Sequence, residues 1–365
     1  MGNLLHVGVP HVEKDAQQSR KRKFIEGEEE IEEKFSPSRK KLQTTSEYIY
    51  KTLYINGENS DITIDALGKS WNLHKVYLCQ SLYFKSMFKG DWSEKNLTVI
   101  KLTFPDSFIT SKALDIVFGS MYRYEVDVEV LIANLIPVIA AARMFDLGGL
   151  LKHCEDTVLE TINAENVCIY YDASQRYGLT EVSKKCFSWL ERNMLLCKTL
   201  TLAKYLTKEL LINLLQSPNL AVMQVEMDIY NFLKIWLYFQ MCNDHSEISC
   251  PKNLIIDTQK YFQCMQKKTK TCFLSSEEGL QYADVFKCLR FENMLGDAKC
   301  ILLLEKDAIV PQNWLLPVYQ SQWKSMLSVY NGEDTGPKQI VEDLFYKQAC
   351  RCGRILETDT RYCWR

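Results

Sequence analysis

The stretch from Asp61 to Glu94 reads DITIDALGKSWNLHKVYLCQSLYFKSMFKGDWSE, and its changes of period decide the fold. Ile62 and Ile64 alternate with Thr63 and Asp65, the period-two signal of a half-buried strand. Gly68 permits a tight turn, and Trp71 and Leu73 resume the alternation, so a hairpin is expected. After His74 and Lys75 the period lengthens. Leu78, Leu82 and Met87, with Val76, Tyr83 and Phe84 beside them, suit a helix with one buried face. The stretch therefore reads hairpin, helix, then a loop carrying Trp92-Ser93-Glu94. None of it has the pattern of a catalytic centre. It has the pattern of a recognition module.

Outward from this stretch, the chain divides by composition and period. It has 365 residues, enough for two ordinary domains. Hydrophobic residues make up 47% and charged residues 25%, so most of it is expected to fold. A net charge of −2 gives no global argument for nucleic acid as a partner. The 14 cysteines are dispersed and no signal peptide precedes them, which suits reduced, mostly buried thiols of the cytosol or nucleus. The longest apolar candidate, Val128 to Ala142, is interrupted by Glu129, Asn134 and Pro137, so no direct membrane insertion is expected.

Residues 1–43 read as a disordered tail. Arg20-Lys21-Arg22-Lys23 and Arg39-Lys40-Lys41 bracket the acidic run Glu26 to Glu33. Such blocks are either a solvated tail or a nuclear-import signal, and the double basic cluster favours import. Met1-Gly2 begins a myristoylation pattern, but His6 stands where Ser or Thr is wanted, so lipidation is not expected. Thr44 and Glu47 have capping-box spacing, placing a helix start near Thr45, and Gly57 can end that helix. Tyr48, Tyr50, Leu53 and Tyr54 give the helix a sticky surface.

Further on, Leu97 to Leu102 reads as a strand. Asn96-Leu97-Thr98 has the form of a glycosylation sequon and is read as chance. Helices are expected over Ser111 to Tyr122, Ile136 to Phe145 and Leu150 to Ile162, with Pro137 in a first turn beginning near Leu135. Asn163 opens a helical part, with helices over Ala164 to Gln175, Glu181 to Met194, Leu202 to Leu215 and Glu226 to Phe239. In the last of these Ile229, Phe232, Leu233, Trp236 and Leu237 form the buried stripe. Asn243 to Glu277 reads as a polar, loop-rich insertion, and Val285 to Met294 and Asp307 to Leu327 as helices. The order is that of an α+β chain.

Several residues also carry a resemblance. Ser60-Asp61-Ile62, Leu73-His74-Lys75, Leu78, Ser81, Tyr83-Phe84 and Met87-Phe88 resemble the signature of a BTB (POZ) domain. Tyr48-Ile49-Tyr50, residues 56–61, Tyr77 to Ser81 and Met223 to Tyr230 (MQVEMDIY) resemble the germ cell-less branch of that family. Tyr170-Tyr171, Ala173, Tyr177-Gly178-Leu179, Cys186 and Trp189-Leu190 resemble the start of a BACK domain. The resemblance implies a tail over 1–43, a BTB/POZ domain over 44–162, an all-α BACK-type domain over 163–330, and an extension over 331–365. Cys352-Gly353-Arg354 and Cys363-Trp364-Arg365 match residues that open a further domain in the family. That domain is therefore expected to be lost, or the sequence to be a shortened form.

The same resemblance assigns roles. The helix carrying Tyr48, Tyr50, Leu53 and Tyr54 would pack across a homodimer two-fold, as opposed to serving as an ordinary core helix. Asp61 and Lys75 would form a charged pair near the dimer groove. Trp92-Ser93-Glu94 follows Met87-Phe88 where cullin-3-binding BTB domains carry a hydrophobic-x-Glu motif, so Phe88, Trp92 and Glu94 are candidate cullin-3 contacts. An exposed aromatic supplies buried area at a contact and a carboxylate supplies a directed hydrogen bond. The plain alternative is a surface loop whose Trp92 folds back on its own domain.

Enzyme chemistry finds little support. Gly68-Lys69-Ser70 lacks the upstream glycine of a P-loop, since position 63 is Thr. No local signature pairs a cysteine with one of the five histidines as a nucleophile. Cys350, Cys352 and Cys363 leave a tetrahedral zinc site one ligand short. No catalytic residue, cofactor or metal is expected. Two functions stay open, both in the nucleus, at its periphery, or partly in the cytoplasm. One is a homodimeric adaptor joining cullin-3 to an unidentified protein substrate, with a role in germ cells and spermatogenesis. The other is a structural or transcriptional scaffold contacting nuclear-envelope proteins.

Overall fold

The alternating residues form the hairpin. Strand β1 (Ile62–Ala66) pairs antiparallel with β2 (Lys69–Leu73), setting Ile62 opposite Leu73 and Ile64 opposite Trp71. Leu67 and Gly68 join them with φ of 50° and 76°, the two left-handed residues of a tight hairpin turn. Ile62, Ile64, Ala66, Trp71 and Leu73 are all buried, so the period-two reading holds residue by residue. These strands belong to a computed structural model that describes residues 44–196, 200–222, 225–242, 251–334, 341–349 and 351. Expectations for residues 1–43, Met223, Gln224, Cys350, Cys352, Cys363 and the rest of 352–365 lie outside the described residues.

A third strand, β3 (Val99–Lys101), pairs parallel to β1 with Ile64 opposite Ile100, giving the order β2-β1-β3. Parallel pairing needs a crossover, and the segment between Leu73 and Val99 provides it. The expected strand from Leu97 to Leu102 is shortened to three residues, although the Leu102 N–H still donates to the Asp65 carbonyl at 2.9 Å. Ahead of the sheet, α1 (Thr45–Ile49) continues as a π-helical segment over Tyr50–Ile55. The chain then turns at Gly57, whose φ is 66°. A Cβ there would sit 2.9 Å from Asn72 Cβ, so glycine also lets this turn approach β2.

The crossover corrects one expectation. A single helix was expected from the Val76 to Met87 pattern; two form, α2 (Lys75–Leu78) and α3 (Leu82–Lys89). Ser81 separates them. Its hydroxyl accepts from Phe84 N at 3.3 Å and donates to the Phe145 carbonyl at 2.5 Å. An N-cap residue is extended, so the helical phase restarts there. The new phase buries Phe84 and Phe88 and leaves Leu82 exposed, while Val76 is exposed on α2.

Helices α4 (Ser111–Ser120), α5 (Val128–Ala133), α6 (Leu135–Met144) and α7 (Gly148–Thr161) complete this part. Thr110 caps α4, Asp127 caps α5, and Pro137 lies in the first turn of α6. Their shared core is aromatic. The Phe145 ring lies 5.1 Å from Phe84, 5.6 Å from Tyr83 and 5.7 Å from Phe118.

The helical part begins with α8 (Val167–Tyr177), ended by Gly178 at φ 68°, and α9 (Thr180–Asn193). The expected helix over Leu202 to Leu215 is divided into α10 (Leu200–Tyr205) and α11 (Lys208–Gln216), because Thr207 caps the second at Leu210 N, 3.3 Å away. Helix α12 (Glu226–Met241) buries Ile229, Leu233, Trp236 and Leu237 as expected, with Phe232 only partly covered. The loop-rich reading of Asn243 to Glu277 is wrong for its middle, which forms α13 (Pro251–Thr269). Leu254, Thr258, Phe262 and Met265 recur at helical spacing beneath a polar composition; the first three are buried and Met265 packs on the core.

Short helices α14 (Glu277–Leu280) and α15 (Ala283–Phe286) follow, so the helix expected over Val285 to Met294 shrinks to α15 and a 3-10 turn at Phe291–Asn293. Helix α16 (Ala298–Asp307) stops at Ala308, which is left-handed at φ 56°. Pro311 then precedes α17 (Gln312–Tyr330), so the helix expected from Asp307 starts later. The last element is α18 (Glu342–Gln348). The core is one connected cluster running from Ile62 to Leu315. It crosses residue 163 without a gap, with Val158, Val167 and Cys168 all buried.

Candidate protein-binding site

The loop after α3 is shaped by Gly90. A Cβ there would fall 2.5 Å from the Ser86 carbonyl oxygen and 2.8 Å from Trp92 Cδ1, so the indole crosses close over the glycine backbone. Trp92 nevertheless remains 63% exposed. A 3-10 turn follows at Ser93–Asn96, closed by Lys95 N donating to Trp92 O at 3.2 Å and Leu97 N donating to Glu94 O at 3.1 Å. Ser93 Oγ donates to Glu94 Oε2 at 2.8 Å. Lys75 Nζ donates to the Lys95 carbonyl at 3.2 Å, bracing the turn from α2.

Glu94 also faces Tyr83. Burial pushes the Tyr83 hydroxyl pKa up, and the Glu94 charge adds to the rise. The expected Trp92 and Glu94 thus sit on one pinned loop, with an open indole and a half-buried carboxylate. Phe88 does not join them. It is 8% exposed, stacks on Phe84 at 5.9 Å, and lies beneath the Lys75 ammonium at 5.4 Å. It supports the loop from the core and offers no contact area. Leu82, read from sequence as buried, is 57% exposed on α3, the helix packed against this turn. The Ser81 cap was the sequence signal for that exposure.

The expected charged pair takes another form. Asp61 Oδ1 accepts from the backbone N–H of Lys75 at 2.8 Å, at the start of α2. The Lys75 ammonium turns instead to Lys95 O and the Phe88 ring. Among the described residues no ion pair joins Asp61 and Lys75. Both side chains keep solvent access, which removes the electrostatic need for a partner.

The tyrosine helix is turned largely inward. Tyr50, Leu53 and Tyr54 pack on the core, and only Tyr48 is strongly exposed among the four. Tyr54 Oη donates to the Asp115 carbonyl at 2.7 Å, and burial together with the Asp115 charge pushes its pKa far up. Gly119 makes room, since a Cβ would meet Tyr54 at 3.1 Å and Tyr50 at 3.2 Å. A groove of about 580 Å³ runs between this segment and the open edge of β2. Tyr50, Trp71, Lys69, Asp115 and Arg123 line it. Asp115 accepts there from Lys69 Nζ at 2.6 Å and Trp71 Nε1 at 2.7 Å.

Among the described residues no group of three or more His, Cys, Asp or Glu side chains could hold a metal ion. No described helix is long and apolar enough to cross a membrane. What the site offers is a surface of aromatic, aliphatic and carboxylate groups.

The BTB/POZ domain family matches residues 50–162. Germ cell-less protein-like 1 of Mus musculus is 42% identical over 331 residues, 90% of this chain and 62% of that protein. The Homo sapiens protein of the same name is 42% identical over 90% of this chain and 64% of its own length. Protein germ cell-less of Drosophila melanogaster is 34% identical over 351 residues, 90% of this chain and 61% of its own. The chain thus spans a little under two thirds of these relatives.

Proposed function

The chain belongs to the germ cell-less family of BTB proteins, and from that premise we propose that it is a non-enzymatic substrate adaptor of a cullin-3 ubiquitin ligase. Its work is protein interaction. The observation that carries the reading is Trp92, 63% exposed on a braced loop beside Glu94. An open indole on a pinned backbone loses little freedom on docking, so its burial contributes almost fully to affinity. Glu94, ordered by Ser93, is ready to accept from a donor on the partner. Leu82 extends the same contact with a second exposed apolar side chain. A protein substrate is held elsewhere on the chain, and the names of the relatives support a role in germ cells. A homodimer formed beside Tyr48 and a nuclear location directed by Arg20 to Lys23 and Arg39 to Lys41 complete the proposal.

Calorimetry with the purified full chain and a cullin-3 N-terminal region tests it. Trp92→Ala should weaken binding about thirtyfold, the effect of removing a central aromatic anchor. Glu94→Ala should weaken it less, and the rim controls Asp91→Ala and Lys89→Ala hardly at all. Wild-type protein that does not bind, or Trp92→Ala that binds like the controls, overturns the adaptor reading in favour of a scaffold without ligase function.

A further inference from the structure

Helix α17 carries a face that nothing in the described chain covers. At 100° per residue, Leu316, Gln320, Trp323, Leu327 and Tyr330 fall within about 40° of one line along the helix. Their spacing alternates four and three, the seam of a two-stranded coiled coil. The opposite side holds the helix to its own fold through Leu315, Trp314 and Val318, which are buried or half-buried. The seam is open, with Leu316 53%, Trp323 61%, Leu327 45% and Tyr330 88% exposed. Isolated exposed leucines need no explanation, but a periodic stripe about 20 Å long does.

We propose that this seam is a self-association surface, occupied by α17 of a second copy of the chain. Three features select that occupant. First, α17 contains one charged residue in nineteen, Lys324, so it lacks the flanking charges by which a coiled-coil helix selects an unlike partner. A neutral seam meets its own copy without repulsion. Second, a helix that lies on a lipid surface needs a polar face rich in Lys and Arg, and α17 has no such face. Third, the open seam offers on the order of 500–700 Å² per copy, which places a two-fold pairing at about the lower bound of a specific interface. Gln320 takes the role of the single polar seam residue, which fixes register at some cost in affinity. A pairing here is additional to any through the α1 segment, so BTB dimers would join into higher assemblies.

The test is sedimentation of the full chain over a concentration series. Wild type should associate to at least twice the mass of Trp323→Asp and Leu327→Asp, whose association should be at least about thirtyfold weaker. Val329→Asp alters an equally exposed apolar residue, at 62%, that lies off the seam, and should leave the mass unchanged. Gln320→Leu should tighten association. Should Trp323→Asp fail to fold, Tyr330→Ser is the milder variant, at the most exposed seam position. Equal masses for wild type and the seam variants overturn the proposal. So does a monomeric wild type that binds neutral phosphatidylcholine vesicles through Trp323. Whether the seam variants end as dimers or monomers reports separately on the α1 interface.

Discussion

Cys154, Cys168 and Cys186 show how far a side chain's chemistry follows from its place. Burial pushes each thiol up to about 12, with the Glu155 charge adding to the rise at Cys154 and the Asp172 charge at Cys168. The folded pKa lies above the unfolded one, so folding favours the neutral thiol. That contribution is complete below about pH 8.5, the unfolded thiol value, and is lost as pH rises towards 12. Native protein treated with iodoacetamide at pH 8 should therefore carry adducts on exposed Cys264 and none on these three, as read by peptide mass. Equal labelling of Cys154 and Cys264 would show that this core opens. The expectation of mostly buried thiols holds for only three of the nine described cysteines, since Cys79, Cys242, Cys272, Cys288 and Cys300 are partly covered and Cys264 is exposed. Asp61 and Phe88 were less legible. Their sequence spacing gave the neighbourhood, but hydrogen-bond direction and stacking decided which atoms meet.

At the scale of elements, strong periods were readable and interruptions were not. The hairpin and α12 follow their patterns because alternation and the 3.6 repeat are enforced by a buried face. The boundary between α2 and α3 depends on one serine hydroxyl that reaches across to Phe145, a tertiary contact with a weak local signature. Helix α13 was hidden because Leu254, Thr258, Tyr261, Phe262 and Met265 meet the core from within a sequence whose other described residues are mostly polar and exposed. The α16–α17 junction turns on Ala308, a β-carbon residue held at φ 56° where glycine is the usual helix terminator. Its carbonyl accepts from Phe273 N at 3.0 Å, which keeps the strained turn in place. Ala308→Gly should therefore stabilise the protein by about 1 kcal/mol, the left-handed penalty less the entropy glycine adds to the unfolded chain. A urea midpoint that falls instead would mean that the Ala308 methyl, 2% exposed, contributes more by packing than the turn loses by strain.

For the whole molecule, the longest-range polar contacts among the described residues are those of Arg351, with Leu215, 136 residues away, and with Glu226, 125 residues away. Glu226 is wholly buried at the start of α12, and Arg351 is 6% exposed. Arg351 binds the carboxylate through Nε and Nη2, and its Nη1 donates to the Leu215 carbonyl at 2.7 Å. The Arg290 backbone N–H donates to the same carboxylate at 3.0 Å, and its guanidinium binds the Ala349 carbonyl. Residues 125 apart are thus joined in one network that pins the chain beyond α18 onto α11, α12 and the turn after α15. A second buried pair, Lys234 with Asp307 at 2.7 Å, is held by Tyr230 and Gln259 in the same manner. Neither pair could be found from sequence, since no local pattern marks a charge whose partner lies on a distant element. Removing one member leaves an uncompensated buried ion, so Arg351→Ala should destabilise by about 3–5 kcal/mol, and Glu226→Ala by a similar amount because it strands a guanidinium that cannot lose its charge. Replacing both by methionine should restore much of the loss, because desolvation of the two charges is then no longer required. Chemical denaturation of the three variants measures this. If Arg351→Ala unfolds within about 1 kcal/mol of wild type, the pair behaves as a surface contact and the pinning of the chain end is not structural.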